Sequence, residues 1–251
     1  MSVLITRRGL VTGLGFTVIA GGTAGLIVSP SFRQLVLGTG EQLSYQTHRL
    51  LGRNALAPEF TEAQMSPDFR TNGNTMPASG EYQSHIDSGF ANWQLQVDGL
   101  VTTPQSFSLA ALKAMPARTQ ITRHDCVEGW SAIGKWTGVP LAALLDQVTL
   151  QPAARYIVLH CADDFSGTAY YESIDLVDAF HPQTILAFAM NDQSLSVGHG
   201  APLRLRVERQ LGYKQAKYIM RIEAVASLAD IGAGAGGFWE DQIGYEWYAG
   251  I

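Results

Sequence analysis

Arg123-His124-Asp125-Cys126-Val127-Glu128-Gly129-Trp130, with Trp136-Thr137-Gly138-Val139-Pro140-Leu141 close behind, is the stretch that decides the fold. A cysteine in such a setting has two uses. As a thiolate it is a nucleophile or a soft metal ligand, and cationic neighbours such as Arg123 and His124 favour that form. As a thiol it is a small buried residue, the commoner fate of a lone cysteine. Spacing alone does not choose between them. Cys161 is the other of two cysteines. Two are too few for a disulfide framework, although a single bridge between them fits an oxidising compartment.

Downstream, Ala201–Arg221 carries Arg204, Arg206, Arg209, Lys214, Lys217 and Arg221 against one acid, Glu208. Ile222–Ile251 has five acids and no Lys or Arg. A basic segment of this kind is either a solvated face or a site for a small anion. The whole chain of 251 residues is 46% hydrophobic and 16% charged, with a net charge of −5. That composition describes a folded globular protein. The acidic balance excludes nucleic acid as a partner, because phosphate binding requires a basic surface.

Around the cysteine, short elements alternate. Trp93-Gln94-Leu95-Gln96-Val97 alternates apolar and polar residues as a half-buried strand does. Ser108 caps a short helix that runs to Met115 and is stopped by Pro116. Strands are expected at Thr119–His124, Tyr156–Cys161, Thr168–Glu172, Leu186–Met190, Leu203–Val207 and Tyr218–Val225. Pro140–Val148 reads as an apolar helix. Ser66–Gly89 reads as a Gly/Asn/Pro-rich loop, and Phe238-Trp239 with Tyr245–Tyr248 as an aromatic tail that packs back on the domain, with the edge of a ligand pocket as its alternative place. Short strands mixed with short helices predict an α+β fold and not a doubly wound sheet.

Taken together, Arg123–Trp130 and Trp136–Leu141 resemble the molybdenum-cysteine loop of the sulfite oxidase family's molybdopterin-binding domain. The Cys-Val-Glu-x-Trp-Ser form is most similar to the bacterial branch that contains the periplasmic methionine sulfoxide reductase catalytic subunit. The resemblance runs from about Phe69 to Val225. It implies a single mixed α/β domain over residues 66–251, a Mo-molybdopterin cofactor, and Cys126 as both catalytic residue and metal ligand. It also implies cofactor contacts from Phe69-Arg70-Thr71-Asn72, with Phe69, Arg70 and Asn72 as the candidates. Further contacts are implied at His199 and Arg204 of His199-Gly200-Ala201-Pro202-Leu203-Arg204, and at Gln215-Ala216-Lys217, which match a phosphate-binding loop. Cys161 falls near a cofactor position where the reductase branch has threonine. Asp163–Ser173 resembles a segment bordering the pocket.

The activity implied is transfer of an oxygen atom, with reduction of a small or protein-borne S-oxide favoured by the form of the cysteine loop. Sulfite oxidation is the rival within the family. A hydrolase using Cys126 with His124 or His199 as base, or a cofactor-free binding module, are rivals of other classes. Electrons are expected from a membrane haem or quinone-linked partner, since the chain lacks ligands for haem or iron–sulfur clusters. At the N-terminus, Thr6-Arg7-Arg8-Gly9-Leu10-Val11 opens an apolar run free of charge until Arg33. Residues 1–30 therefore read as a twin-arginine signal or an uncleaved anchor helix. Residues 31–65 read as a connecting arm, and the body as periplasmic.

Overall fold

The computed structural model describes residues 30–251. The signal or anchor reading of residues 1–30 falls outside them except for Pro30. The chain divides into two compact units, residues 1–53 and 54–251. Within the first, helix α1 spans Pro30–Leu51. His48 and Arg49 in its last turn complement the negative end of the helix dipole. Among the described residues no helix is long and apolar enough to cross a membrane.

The second unit is built on two five-stranded sheets. One has the order β2-β1-β10-β5-β6, from Gln105–Ser108, Gln94–Gly99, Ile219–Val225, Tyr156–Phe165 and Thr168–Asp175. All neighbours are antiparallel except β1 and β10, which run parallel. The other sheet pairs β3 (Arg118–Cys126), β4 (Trp130–Pro140), β7 (Ile185–Met190) and the two-residue β8 (Gln193–Ser194). A short β9 (Arg204–Arg206) adds to β7. This is the mixed α/β architecture expected from the sequence.

Local chemistry explains most of the elements. Ser108 accepts a hydrogen bond from the Ala111 amide (3.1 Å) and caps α3, Leu109–Ala114. Helix α4, Leu141–Val148, buries Leu141, Leu144, Leu145 and Val148, an apolar stripe at helical spacing. That stripe packs in the main core with Trp93, Leu95, Ile157, Leu159, Leu205 and Ile222. A smaller core gathers Phe69, Ala132, Trp136, Ile185, Ala187 and Met190. Gly138 sits where β4 shifts register against β7; a Cβ there would lie 2.2 Å from the Leu186 carbonyl oxygen.

Two stretches differ from expectation. Within the supposed loop Ser66–Gly89, helix α2 forms over Gly80–Asp87, capped by Ser79 and anchored by the buried Tyr82, whose hydroxyl donates to the Ala201 carbonyl (2.5 Å). Residues 54–65, read as part of an arm, lie along β3 in the second unit, with the Phe60 amide bonded to the Ile121 carbonyl (2.8 Å). The α4 stripe gives a direct test of the core. Leu144→Ala should destabilise the protein by about 2–5 kcal/mol in urea unfolding. A loss below about 1 kcal/mol would mean that the stripe is not close-packed.

Candidate active site

Cys126 is the last residue of β3, paired with Trp130, the first of β4. Val127-Glu128-Gly129 turn the chain between them, with Gly129 at φ +86 and its amide bonded to the Cys126 carbonyl (3.0 Å). The hairpin tip thus carries the thiol into a cavity of about 220 Å³, lined by Asn72, Cys126, Glu128, Asp163, Gln215 and Lys217 among others. Burial pushes the thiol above its ordinary value, and a hydrogen bond from the Glu128 backbone pulls the other way.

The cations expected to favour a thiolate are not the neighbours in sequence. Arg123 bonds Asp125 at the surface (3.0 Å). His124 is fully buried, and desolvation followed by the charge of Arg206 holds it well below its ordinary value, hence neutral. Its Nδ1 accepts from Arg206 Nη1 (3.0 Å), since a guanidinium only donates. Gly212 packs on this ring; a Cβ there would lie 2.5 Å from Nε2. The positive charge that favours the Cys126 thiolate belongs to Arg204.

Arg204 and Arg206 are both fully buried and stack on Trp136, at 4.9 and 4.4 Å from its ring centroid. The basic segment is therefore not a solvated face. Arg206 is neutralised by Glu208 through Nε–Oε1 (3.0 Å) and Nη2–Oε2 (2.5 Å). Arg204 has no such partner. Its Nη1 donates to the His199 carbonyl (3.0 Å), while Nε and Nη2 are buried without a hydrogen-bond partner. Burial, then the charge of Arg206, lowers its pKa to about 9. Lys217 is in a similar position. Its Nζ donates to the carbonyls of Asn72 (2.6 Å), Asn74 and Gly198 (3.0 Å), and burial with nearby Arg204 brings its pKa down to about 7. Among the described residues neither cation forms an ion pair.

The other expected residues are dispersed around this centre. Asn72 lines the cavity, its Oδ1 buried and unpartnered, and Gln215 lines it too. Phe69 lies behind the wall, its ring against Trp136, His124 and His199. His199 spends both ring nitrogens inside the protein, on Ser196 Oγ (2.8 Å) and the Phe69 carbonyl (2.9 Å). Ala216 is buried, its carbonyl accepting from the Leu205 amide. Arg70 is exposed. Cys161 is a free thiol, as is Cys126, and opens on a different cavity beside Tyr82, Met220 and Arg221.

Several lining groups stand outside the expected cofactor contacts, although Asp163, Phe165 and Tyr170 belong to the segment expected to border the pocket. Asp163 has a buried, unpartnered Oδ1, with Oδ2 held by Asn74 Nδ2 (3.3 Å); burial raises its pKa to about 6. Phe165, Tyr170, Tyr213, Trp239 and Tyr245 supply an aromatic side. The last two come from the tail, which packs on the domain as expected and also edges the cavity. Only chain reversal in three dimensions brings Tyr245 near Cys126; no spacing signals it.

With this geometry in place, comparison with known proteins identifies the class. Residues 81–230 match the oxidoreductase molybdopterin binding domain family, and the chain belongs to it. It is an oxidoreductase whose cofactor is molybdenum carried on molybdopterin. Over 201 residues it is 40% identical to a chain named a protein-methionine-sulfoxide reductase subunit in Azospira oryzae, covering 80% of this chain and 70% of that one. Over 144 residues it is 39% identical to the protein-methionine-sulfoxide reductase catalytic subunit of Ralstonia nicotianae, covering 53% of this chain and 44% of the other. The crystal structure of the sulfane dehydrogenase of Paracoccus pantotrophus shares the fold, with a TM-score of 0.53 over 70% of this chain and 46% of that one at 21% identity. The chain thus spans less than half the length of the last two. The hydrolase reading falls, since the hydrogen bonds of His124 and His199 leave neither placed as a base for Cys126.

Asp163 yields a pH test on the cofactor-free protein. A carboxyl whose folded pKa lies above its ordinary 3.8 contributes stability that is complete below 3.8 and lost as pH rises through about 6. Asp163→Asn should therefore gain stability relative to wild type as pH rises from about 4 to about 7 in denaturant titrations. A gap that does not change with pH would contradict the assignment.

Proposed function

We propose that this protein is an exported molybdenum oxotransferase that reduces S-oxides, with Cys126 as the protein's one ligand to the metal. The observation that carries this reading is the pair of buried cations beside the Cys126 thiol. Arg204 with two unpartnered donor nitrogens, and Lys217 without a carboxylate, leave buried positive charge that an anionic ligand would neutralise. A pterin ending in a phosphate fits that need, and its ring polar groups suit Asn72 Oδ1 and Gln215 at the same cavity. Among the described residues no three His, Cys, Asp or Glu side chains are grouped to hold a metal, so a metal at Cys126 would take its remaining donors from the cofactor.

The molybdenum centre, when bound, supplies the two-electron oxygen-atom chemistry. Reduction of an S-oxide takes up two electrons and two protons and releases a sulfide and water. The protein's contribution is positional. The hairpin turn fixes Cys126, and its soft sulfur matches the metal. Lys217, locked by three carbonyls, ties the Asn72–Asn74 loop to the Gly198 loop, so both walls hold their places. Arg204 lies against Trp136 with two donors free for an anion. Phe69 and His199 brace these residues from behind, and Arg70 and Cys161 stand outside the proposed contact set. The names borne by the Azospira and Ralstonia relatives support methionine sulfoxide, free or in protein, as substrate. Export to the periplasm by the Arg7-Arg8 segment, and electrons from a membrane haem or quinone-linked partner, complete the proposal.

Cys126→Ser replaces a soft thiolate by a hard, poorly acidic oxygen. It should abolish S-oxide reduction with reduced viologen as donor while pterin content persists and the Mo(V) paramagnetic signal changes. An active variant, or sulfite turnover without S-oxide turnover by the wild type, would overturn the reading. Arg204→Ala and Lys217→Ala should each lower pterin affinity roughly ten- to a hundredfold. Arg209, paired with Asp178 (2.8 Å), and Arg221, paired with Asp98 (2.8 Å), should matter far less. Equal losses at all four positions would indicate a diffuse field instead of a site.

A further inference from the structure

The C-terminal segment brings an unassigned set of aromatic rings to the cavity. Trp239 lies on α5, Phe238–Ile243, and Tyr245 follows its left-handed cap at Gly244 (φ +72). The residues beside them anchor the segment. Phe238 is buried against Phe165, with ring centroids 5.1 Å apart. Glu240 accepts from the buried Lys214 Nζ (2.7 Å), and Asp241 accepts from the Tyr171 hydroxyl. The anchors thus face inward, while Trp239 and Tyr245 remain half-buried at the cavity wall. Phe165 meets Trp239 edge-on at 5.0 Å, and Tyr245 lies 6.3 Å from Trp239. Both tail aromatics stand beyond residue 230, where the family match ends.

We propose that Trp239, Tyr245 and Phe165 form a substrate subsite that grips the apolar flank of a neutral S-oxide, and so sets specificity against inorganic oxyanions. The inference rests on the S-oxide reading and deepens it. A thioether or sulfoxide flank suits aromatic rings, whose edges attract sulfur and whose faces bury methylene groups. The same cavity carries the carboxylates of Glu128 and Asp163, which disfavour an entering anion such as sulfite. Its buried cations are not offered to a second anion, since in the proposed function Arg204 and Lys217 are matched by the anionic cofactor and the Lys217 ammonium is also turned to three backbone carbonyls.

The test uses the cofactor-loaded full chain with reduced viologen as donor, methionine sulfoxide as substrate, and pterin and molybdenum content as a second readout. Trp239→Ala and Tyr245→Ala should each raise KM roughly three- to tenfold, with kcat and cofactor content close to wild type. Trp239→Phe, which keeps a ring, should restore most of the affinity. Unchanged KM in both alanine variants would overturn the subsite. Loss of pterin from both would overturn it as well, because the rings would then serve the cofactor. A wild type that reduces no S-oxide would sink the proposed function and the subsite together, an outcome read from the wild-type arm alone.

Discussion

Two guanidinium groups lie on one indole in the interior of this protein, and only one of them has a counter-ion. Arg206 is matched by Glu208, and the pair is further fixed by Gln120 Nε2 donating to Glu208 Oε1 (2.8 Å). Arg204, stacked on the same Trp136, is not matched. A buried unpaired charge is among the costliest features a fold can hold. Trp136 offsets part of that cost through its ring face. The rest is a standing demand for an anion, and it is felt at Cys126 and Lys217, both of which respond to the charge of Arg204. The site's electrostatics descend from this one imbalance.

The same logic explains why half of the molecule was legible in the sequence and half was not. The α4 helix follows from Leu141, Leu144, Leu145 and Val148, and β1 from the alternation of Leu95 and Val97, because both bury apolar side chains against the core. Strand β3 breaks that rule. Its inward residues are Gln120, Thr122, His124 and Cys126, while Ile121 is only partly buried. A polar row faces in because it must meet Arg206, Glu208 and the cavity, so hydrophobic periodicity underestimates the strand's length. Strand β4 hides for a related reason, since small residues let Phe69 and β7 approach closely. Of the site residues, Cys126, Asn72, Gln215 and Lys217 were found through resemblance and share one cavity. Asp163 was legible only as part of a segment bordering the pocket, and Trp239 and Tyr245 only as part of an aromatic tail, because the place of those two depends on how the tail folds back.

That tail is held by a buried Lys214 set between Glu172 and Glu240. Burial pushes Glu172 well above the usual carboxylate range, against the pull of the Lys214 ammonium. Such a cluster contributes little net stability compared with apolar packing. Its use is directional: Lys214 adjoins Gln215 in the chain, so the bonds that seat the tail also seat the cavity loop.

The parallel pairing of β1 with β10 sets the order in which the chain becomes a protein. β10 lies between β1 and β5, so the first sheet has a gap at its centre until residues 219–225 leave the ribosome. Strands far apart in sequence must then find each other, a slow step governed by loop closure. Gln215 and Lys217 immediately precede β10, and their walls take shape only with that closure. Before it, a nascent chain displays the Cys126 hairpin without the cations that flank it. Gln215 and Lys217 can therefore flank the Cys126 hairpin only once residues 219–225 have taken their place between β1 and β5.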